Sequence, residues 1–168
     1  MYIYKYFSPL GEMTMASDGH SLTGLWFDGQ KYFPAGLIGC AEEKNLPVFD
    51  ETSRWLDIYF SGEIPDFTPD LNPAGSEFRI SVWEILRNIP YGKTMTYGEI
   101  AAEIAQMKGL KRMSPQAVGG AVGRNPISVI IPCHRVLGAN GKLTGYAGGV
   151  GRKLKLLEIE GITKNCCP

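Results

Sequence analysis

A proline-rich segment near the middle of the chain limits what the sequence can fold into. Residues 64–75 read IPDFTPDLNPAG and include Pro65, Pro69 and Pro73. Proline fixes φ and removes an amide donor, so this segment is too proline-rich for a helix or a central strand. We interpret it as a linker or an extended connection, which predicts two domains, residues 1–70 and residues 77–164.

The two halves of the chain carry opposite charge. Residues 1–76 contain four basic and eleven acidic side chains, a net charge of −7, whereas residues 77–168 contain thirteen basic and six acidic ones, a net charge of +7. This asymmetry indicates that the second half meets a polyanion. Chance segregation of solvated charges is the alternative, because net charge reports on association and not on fold.

Composition disfavours several classes of protein. The chain has no run of about 18 apolar residues that would span a membrane, and its N-terminus lacks the apolar core of a signal peptide. Four cysteines are too few for a disulfide scaffold, so we expect a reducing cytoplasm. His20 and His134 are the only histidines, and no Cys and His spacing is typical of zinc, so we predict neither metal nor cofactor.

The first domain has the pattern of a small antiparallel sheet with a helix. The segment MYIYKYF alternates as a half-buried strand does, and Asp18-Gly19 separates MTMAS from SLTGLWF, which predicts a hairpin. From Leu46 to Phe60 the spacing becomes helical, with Gly62 as a stop. The side chains on one face of this helix are Val48, Thr52, Trp55 and Tyr59.

The second domain is predicted to be mainly helical. Thr96 and Glu99 have the spacing of a capping box, and Ser114-Pro115 that of an N-cap followed by a first-turn proline. Two short helices joined by the basic loop KGLKRM are typical of a helix-turn-helix. The fold class is therefore α+β, with a mainly helical C-terminal domain. An earlier helix is indicated by the apolar stripe Phe78, Val82, Ile85, Leu86 and Ile89.

The second helix of the pair, SPQAVGGAVGRN, carries almost no bulky side chain. Ala117, Gly119, Gly120 and Ala121 lie in its middle, and each glycine costs about 1 kcal/mol of helix stability relative to alanine. Two explanations are open at this point. One is close packing against a neighbouring helix, and the other is close approach of the backbone to a nucleic-acid groove.

A cysteine follows an apolar run and precedes two basic side chains. ISVII, residues 127–131, is predicted as a buried strand that delivers Cys133 to its end, beside His134 and Arg135. Nearby positive charge lowers the pKa of a thiol, and a histidine can remove its proton directly or through a water. The alternative is that Cys133 is a small core residue, since free cysteines are often buried. A paired histidine requires a turn here, because adjacent strand side chains point to opposite faces.

The last helix offers a third partner for this pair. In GVGRKLKLLEIEG, Val150, Leu154 and Leu157 fall on one face and Gly161 is the stop. Glu160 therefore lies in the last turn, where the helix dipole disfavours an anion. We interpret Glu160 as the acceptor of a hydrogen bond from His134, which fixes the histidine tautomer; a tolerated surface carboxylate is the alternative.

These segments together resemble one known family. NPISVIIPCHRVLGANGKLTGYAGGVGRKLKLLEIEG, with TYGEIA and AVGGAVGRNP upstream, is similar to the O6-alkylguanine-DNA alkyltransferases, also called methylated-DNA–protein-cysteine methyltransferases. The resemblance implies direct-reversal DNA repair by irreversible, single-turnover transfer of an alkyl group from O6-alkylguanine, less often O4-alkylthymine, to Cys133. It also implies a monomer that binds double-stranded DNA in the minor groove.

The resemblance gives a role to Cys133 and to three residues around its thiol. Cys133 corresponds to the alkyl acceptor, and His134 to the residue that activates it through a water. Glu160 corresponds to the carboxylate that orients this histidine. Asn125 corresponds to an asparagine that braces the turn beneath the cysteine.

Other matching residues are expected to handle the base and the DNA. Tyr97 corresponds to the tyrosine that hydrogen-bonds the flipped guanine and helps to neutralise the leaving base, and Lys153 corresponds to a lysine that assists this proton transfer. Gln116 departs from the family pattern. Relatives commonly carry an arginine at this position, and its side chain replaces the flipped nucleotide in the base stack. With glutamine in its place, we expect base extrusion to be less efficient. Substrate contacts are expected from Tyr146, Val136, Ala147, Gln116, Ala117, Gly119 and Arg135.

Two other classes fit parts of the sequence. A cysteine hydrolase built on Cys133 would need a histidine nearby and would turn over. A DNA-binding regulator would recognise alkylated bases without repairing them. A stable alkyl adduct on the cysteine separates the transferase from both.

Overall fold

The chain forms two compact units in the computed structural model, which describes residues 1–162. The first unit contains residues 1–74 together with residues 126–128, and the second contains residues 75–125 and the chain from residue 129 onward. Cys166, Cys167 and the end of the predicted second domain lie outside the described residues. Within residues 1–162, no helix has both the length and the apolar character needed to cross a membrane.

The first unit is built on a four-stranded sheet. Strands β1 (Tyr2–Ser8), β2 (Gly11–Ser17) and β3 (Leu22–Phe27) pair antiparallel in sequence order, so the predicted sheet is confirmed. A two-residue strand, β4 (Glu42–Glu43), pairs in parallel with β1 and gives the order β3-β2-β1-β4. Two consecutive glutamates carry no strand signal, which is why the sequence did not indicate β4.

The helices of the first unit follow the meander. They are α1 (Leu37–Cys40) and α2 (Pro47–Phe60). The ring of Phe49 in α2 stacks on that of Tyr4 in β1, with centroids 6.0 Å apart. The predicted helical face is confirmed, since the buried residues of α2 are Val48, Phe49, Thr52, Trp55, Leu56 and Tyr59.

The proline-rich segment is an extended connection tied to the sheet. Leu22 N donates to the carbonyl of Asp70 at 2.7 Å, and Asn72 N donates to the carbonyl of Leu22 at 2.8 Å. These bonds place Leu71 in a parallel bridge with Leu22, at the start of β3. The segment is therefore an ordered part of the first unit and not a free linker.

Residues 126–128 belong to the first unit, although residues 75–125 before them belong to the second. Leu25 N donates to the carbonyl of Pro126, and Ser128 N donates to the carbonyl of Leu25, each at 2.8 Å. The Ser128 hydroxyl also donates to the Gln30 side-chain carbonyl at 3.2 Å. Ile127 is thereby held in a bridge beside β3.

The second unit contains the helix-turn-helix, which is confirmed as the pair α4 (Tyr97–Met107) and α5 (Pro115–Gly123), joined by residues 108–114. Short strands β5 (Met95–Thr96) and β6 (Val136–Leu137) pair in parallel beside it. Up to residue 162, the α-helices of this unit are α3 (Glu77–Arg87), α4, α5 and α6 (Val150–Ile159).

Both helices of the pair begin at the predicted caps. Thr96 Oγ1 accepts from Glu99 N at 3.1 Å, and the Glu99 carboxylate accepts from Thr96 N at 2.7 Å, which completes a capping box. Ser114 Oγ accepts from Ala117 N at 3.4 Å, with a proline in the first turn. Local sequence signals thus determine where Tyr97 and the start of α5 lie.

Helix α5 packs through few side chains. The indole Nε1 of Trp83 donates to the carbonyl of Ala121 at 2.9 Å. A Cβ on Gly119 would lie 3.7 Å from the Tyr97 ring, and one on Gly120 would lie 3.9 Å from the Arg124 guanidinium. Both are ordinary contact distances, so tight packing inside this unit does not explain the two glycines.

The predicted strand over residues 127–131 is wrong. Ile127 forms a single bridge, residues 128–130 form a turn, and Val129 adopts φ 70°. A β-branched residue is strained in the left-handed region, so its surroundings must hold the turn. Residues 127–138 are all buried, and a short run that is buried on every side has no periodicity to separate strand from turn.

Candidate active site

A tight turn at Pro132 presents Cys133. Pro132 has φ −82° and ψ 64°, and Cys133 N donates to the carbonyl of Ile131 at 2.8 Å, as in an inverse γ-turn. A single 3-10 turn, Cys133–Arg135, follows directly. This geometry replaces the strand that would send the side chains of Cys133 and His134 to opposite faces.

The side chain of Asn125 braces this turn. Its Nδ2 donates to the carbonyl of Ile131 at 2.8 Å and to Sγ of Cys133 at 3.1 Å. Asn125 is buried. One amide group therefore holds both the backbone before the cysteine and the sulfur itself.

The Cys133 thiol is buried and surrounded by groups that favour its anion. Burial raises the pKa of Cys133, while the hydrogen bond from Asn125, the charge of Lys153 and a hydrogen bond from Tyr146 act in the opposite direction. The net shift is upward, so the resting group is a thiol. The site can stabilise a thiolate, but a base must first remove the proton.

His134 is the candidate base. It is fully buried, and its Nε2 lies 2.7 Å from Oε1 of Glu160. Burial lowers the pKa of His134, although Glu160 opposes this, so the imidazole is neutral near pH 7. With the Nε2 proton directed to the carboxylate, Nδ1 is the nitrogen that can accept a proton.

Glu160 is the centre of a buried network. Burial opposes its ionisation, but hydrogen bonds from His134 and Arg135 outweigh this and lower its pKa from 4.5 to about 2. Gly92 N donates to Oε2 at 3.1 Å. Glu160 caps the C-terminus of α6, and Gly161 follows with φ 74°. The unfavourable position at a helix end is thus offset by three groups that bind the anion.

Arg135 does not occupy the place expected for a substrate contact. Its guanidinium is buried; Nε lies 2.9 Å from Oε2 of Glu160, and Nη1 donates to the carbonyl of Ile89 at 2.6 Å. The positive charge that lowers the pKa of Cys133 is that of Lys153. An arginine beside a cysteine suggested activation of the thiol, but the carboxylate competes more strongly for its planar donors.

Lys153 is a fully buried lysine on α6. Its Nζ donates to the carbonyl of Val136 at 2.6 Å, and to the carbonyl and the hydroxyl of Thr144 at 3.4 Å each. The predicted apolar face of α6 is wrong in detail, because Val150 is exposed and the buried helix positions are Lys153, Leu156 and Leu157. A face that includes lysine does not suggest burial, since lysine is almost never buried without partners.

Tyr97 and the chain before α6 complete the surroundings of the thiol. The Tyr97 hydroxyl lies 3.1 Å from Oγ1 of Thr144, and burial raises its pKa. Tyr146 and Ala147 are half-buried, and Val136 is buried with its carbonyl held by Lys153. Thr144 was not predicted as a site residue; only its place two residues before Tyr146 could have suggested it.

The start of α5 is an open, basic surface. Gln116 and Ala117 are exposed, and Gly119 is half-buried. Lys108, Lys111 and Arg112 are exposed in the preceding loop. Within residues 1–162, no three His, Cys, Asp or Glu side chains are grouped so as to hold a metal ion.

The second unit thus combines a helix-turn-helix, an arrangement typical of DNA-binding proteins, with a buried, hydrogen-bonded cysteine, a combination that points to a DNA-binding protein with a thiol as its candidate reactive group. Two family models match the chain. The DNA binding domain of 6-O-methylguanine DNA methyltransferase matches residues 77–162, and the ribonuclease-like domain of the same enzyme matches residues 1–73. The chain belongs to the 6-O-methylguanine DNA methyltransferase family.

Similar proteins extend over nearly the whole chain. A methylated-DNA–protein-cysteine methyltransferase of Methanosarcina acetivorans is 46% identical over 162 residues, which is 96% of this chain and 99% of that protein. One of Mycobacterium leprae is 46% identical over 153 residues, 91% and 88% of the two chains. The crystal structure of Mycobacterium tuberculosis OGT in complex with DNA has a TM-score of 0.84 and 41% identity, and the match covers 96% of this chain and 93% of that one.

Proposed function

We propose that this protein repairs alkylated double-stranded DNA by moving the alkyl group of O6-alkylguanine to Cys133. The observation that carries the proposal is the Cys133 thiol, held by the Asn125 amide at 3.1 Å on the turn next to the His134–Glu160 pair. Family membership favours this function over a cysteine hydrolase or a regulator that only reads alkylated bases. O4-alkylthymine is the less frequent substrate.

His134 and Glu160 generate the nucleophile. The neutral imidazole takes the thiol proton through a water, and the Glu160 anion stabilises the imidazolium that forms. Because the pKa of Glu160 is about 2, the carboxylate remains charged through the whole neutral range. Asn125, Lys153 and Tyr146 then stabilise the thiolate, since each favours the anionic form of Cys133.

The transfer itself is an in-line displacement. The electron pair of the Cys133 thiolate forms the S–C bond while the C–O6 bond breaks, and the electron pair of the C–O6 bond moves onto the purine. Tyr97 donates its hydroxyl proton to the purine, assisted by Lys153, so a neutral guanine leaves. The thioether on Cys133 has no easy chemical return, so each molecule acts once.

Helix α5 brings the DNA to this site. The alkylated base must leave the duplex, because its alkyl carbon is inaccessible in the base stack. The small side chains of α5 allow its backbone to approach the minor groove closely. Gln116 is exposed in the first turn of α5. The exposed basic loop contributes phosphate contacts, which make binding weaken as salt rises. All the residues proposed for the chemistry come from one chain, so a monomer suffices.

Mass mapping tests the acceptor. Incubation with a duplex containing O6-methylguanine, followed by peptide mass analysis, is expected to find one methyl group on the peptide that contains Cys133. Cys133→Ser is the matched control and should bind the duplex without becoming methylated. A methyl group on Cys40, Cys166 or Cys167, or repeated turnover without an adduct, would contradict the proposal.

A double-mutant cycle tests the activating pair. His134→Gln and Glu160→Gln should each slow transfer by about a hundredfold, within the range expected for general-base catalysis. Because Glu160 acts through His134, the double variant should be little slower than the slower single one. Single-turnover rates provide the measurement, and fully additive losses would show that the two residues act independently.

A further inference from the structure

Thr144 connects two residues of the proposed leaving-group site. Its Oγ1 lies 3.1 Å from the Tyr97 hydroxyl and accepts from Lys153 Nζ at 3.4 Å. Its backbone carbonyl accepts from the same ammonium at 3.4 Å. Tyr97 is at the start of α4 and Lys153 is on α6. Thr144 therefore bridges these two side chains by hydrogen bonds, although they belong to different helices.

The orientation of the Thr144 side chain is fixed on its other side as well. A Cβ on Gly138 would lie 2.8 Å from the Thr144 methyl group and 3.3 Å from the carbonyl of Lys142. Gly138 N donates to that carbonyl at 2.8 Å, which closes the loop. The methyl group therefore packs where only glycine leaves room, and the hydroxyl faces Tyr97 and Lys153.

Chemistry gives this chain of hydrogen bonds a direction. An ammonium group can only donate, whereas a hydroxyl can accept and donate at the same time. Lys153 donates to Oγ1 and uses one of its two acceptor sites, which leaves the hydrogen of Thr144 available for the Tyr97 oxygen 3.1 Å away. Such a bond stabilises the Tyr97 phenolate, and Thr144 does lower the pKa of Tyr97 against the larger, raising effect of burial.

We propose that Thr144 is a positioning residue whose hydroxyl accepts from Lys153 and donates to Tyr97, which turns the Tyr97 hydrogen toward the departing purine. The proposal rests on the proposed alkyl transfer. As the C–O6 bond breaks, the purine takes the Tyr97 proton, and Thr144 and Lys153 hold the phenolate until solvent returns a proton. The proton of Cys133 leaves separately, through His134 to solvent.

Two substitutions at one position isolate the hydroxyl. Thr144→Val keeps the shape and removes the hydroxyl, whereas Thr144→Ser keeps the hydroxyl and removes the methyl group. Transfer from an O6-methylguanine duplex is measured in single turnover over a range of duplex concentrations, which separates the maximal rate from binding. Thr144→Val should lower the maximal rate about tenfold to a hundredfold, as misplacing a catalytic group does. Duplex affinity should remain within about twofold, and Thr144→Ser should recover most of the rate.

Two further measurements separate this role from a general effect on the fold. Alkylation of Cys133 by iodoacetamide needs no proton for the leaving group, so its rate in Thr144→Val should match the wild type. Because Thr144 acts through Tyr97, the double variant with Tyr97→Phe should be no slower than Tyr97→Phe alone.

Several results would overturn the proposal. They are unchanged transfer in Thr144→Val, equal losses in the Val and Ser variants, equal slowing of iodoacetamide alkylation, or additive losses with Tyr97→Phe. Failure of the proposed function itself looks different, since the wild-type protein would then place no methyl group on Cys133.

Discussion

Arg135 and Glu160 form a buried, bidentate ion pair, with Nε 2.9 Å from Oε2 and Nη2 3.0 Å from Oε1. The residue next to the candidate base thereby holds the carboxylate that orients the base. Nε2 of His134 lies 2.7 Å from Oε1 of the same carboxylate. One anion thus links two consecutive residues of the turn to the end of α6.

Removal of Arg135 should destabilise the fold. Arg135→Leu leaves the Glu160 charge buried without its main cation, and breaking a buried pair in this way costs about 3–5 kcal/mol. Urea unfolding measures the change. Lys155→Ala is the matched control, because it breaks the exposed Lys155–Glu158 pair and should leave stability almost unchanged. A small loss in Arg135→Leu would show that His134 and Gly92 suffice to hold the carboxylate.

Acid should weaken the protein through Glu160. Its pKa is lowered from 4.5 in the unfolded chain to about 2 in the folded state. The folded state therefore binds this proton less tightly, so the stabilisation is complete above about pH 4.5 and is lost as pH falls toward 2. The free energy of unfolding, measured against pH, should fall more steeply for the wild type than for Glu160→Gln in this window. Parallel curves would exclude Glu160 as the source.

Loss of the Asn125 amide should make the thiol harder to ionise. Asn125 lowers the pKa of Cys133 and also binds the Ile131 carbonyl at 2.8 Å. In Asn125→Ala, the apparent thiol pKa, followed by the pH dependence of iodoacetamide alkylation, should rise. Stability should fall by about 1–3 kcal/mol, because a buried carbonyl loses its partner. Asn45→Ala, at an exposed position, is the control. A thiol pKa equal to that of the wild type would refute the role of Asn125.

Base extrusion should be the weak step because of Gln116. A planar group stacked on a base contributes about 1–3 kcal/mol, and glutamine lacks both the stacking surface and the charge of arginine. Gln116→Arg should therefore speed transfer from a duplex by about fivefold or more. Transfer from the free O6-alkylguanine base requires no extrusion and should not change.

A charge added elsewhere controls for simple attraction to DNA. Gln106→Arg places the same charge at an exposed position on α4. It should strengthen duplex binding at most and leave the maximal transfer rate unaltered. If Gln116→Arg affects duplex and free base equally, another side chain fills the vacated stack.

Local signals were sufficient for most of the fold. The hairpin at Asp18-Gly19 and the caps at Thr96 and Ser114 depend on a few adjacent residues, and each is present in the structure. Glu160 was predicted beside His134 and lies 2.7 Å from it. An anion at a helix C-terminus is unfavourable by itself, which made its compensation predictable.

Other contacts and burial that depend on long-range partners were not predicted, even for residues that the sequence placed in the site. Lys153 can be buried because its Nζ donates to the carbonyls of Val136 and Thr144, and neither residue lies on the same helix as Lys153. Arg135 turns to Glu160, 25 residues further along the chain. Val129 adopts a strained, positive φ in its turn, and a run of apolar residues gives no sequence signal for that conformation. Such features require knowledge of which segments meet in space.

Residues 126–128 limit how far the two units can be exchanged as modules. A fragment beginning at residue 75 would retain Pro126 and Ser128 but lose the backbone groups of Leu25 that bind them. A recombination event at the proline-rich segment would replace residues 1–74 but leave residues 126–128, which belong to the same unit, with the other parent. Inheritance of the units as a single block is the expected outcome, although each has its own core and its own family model.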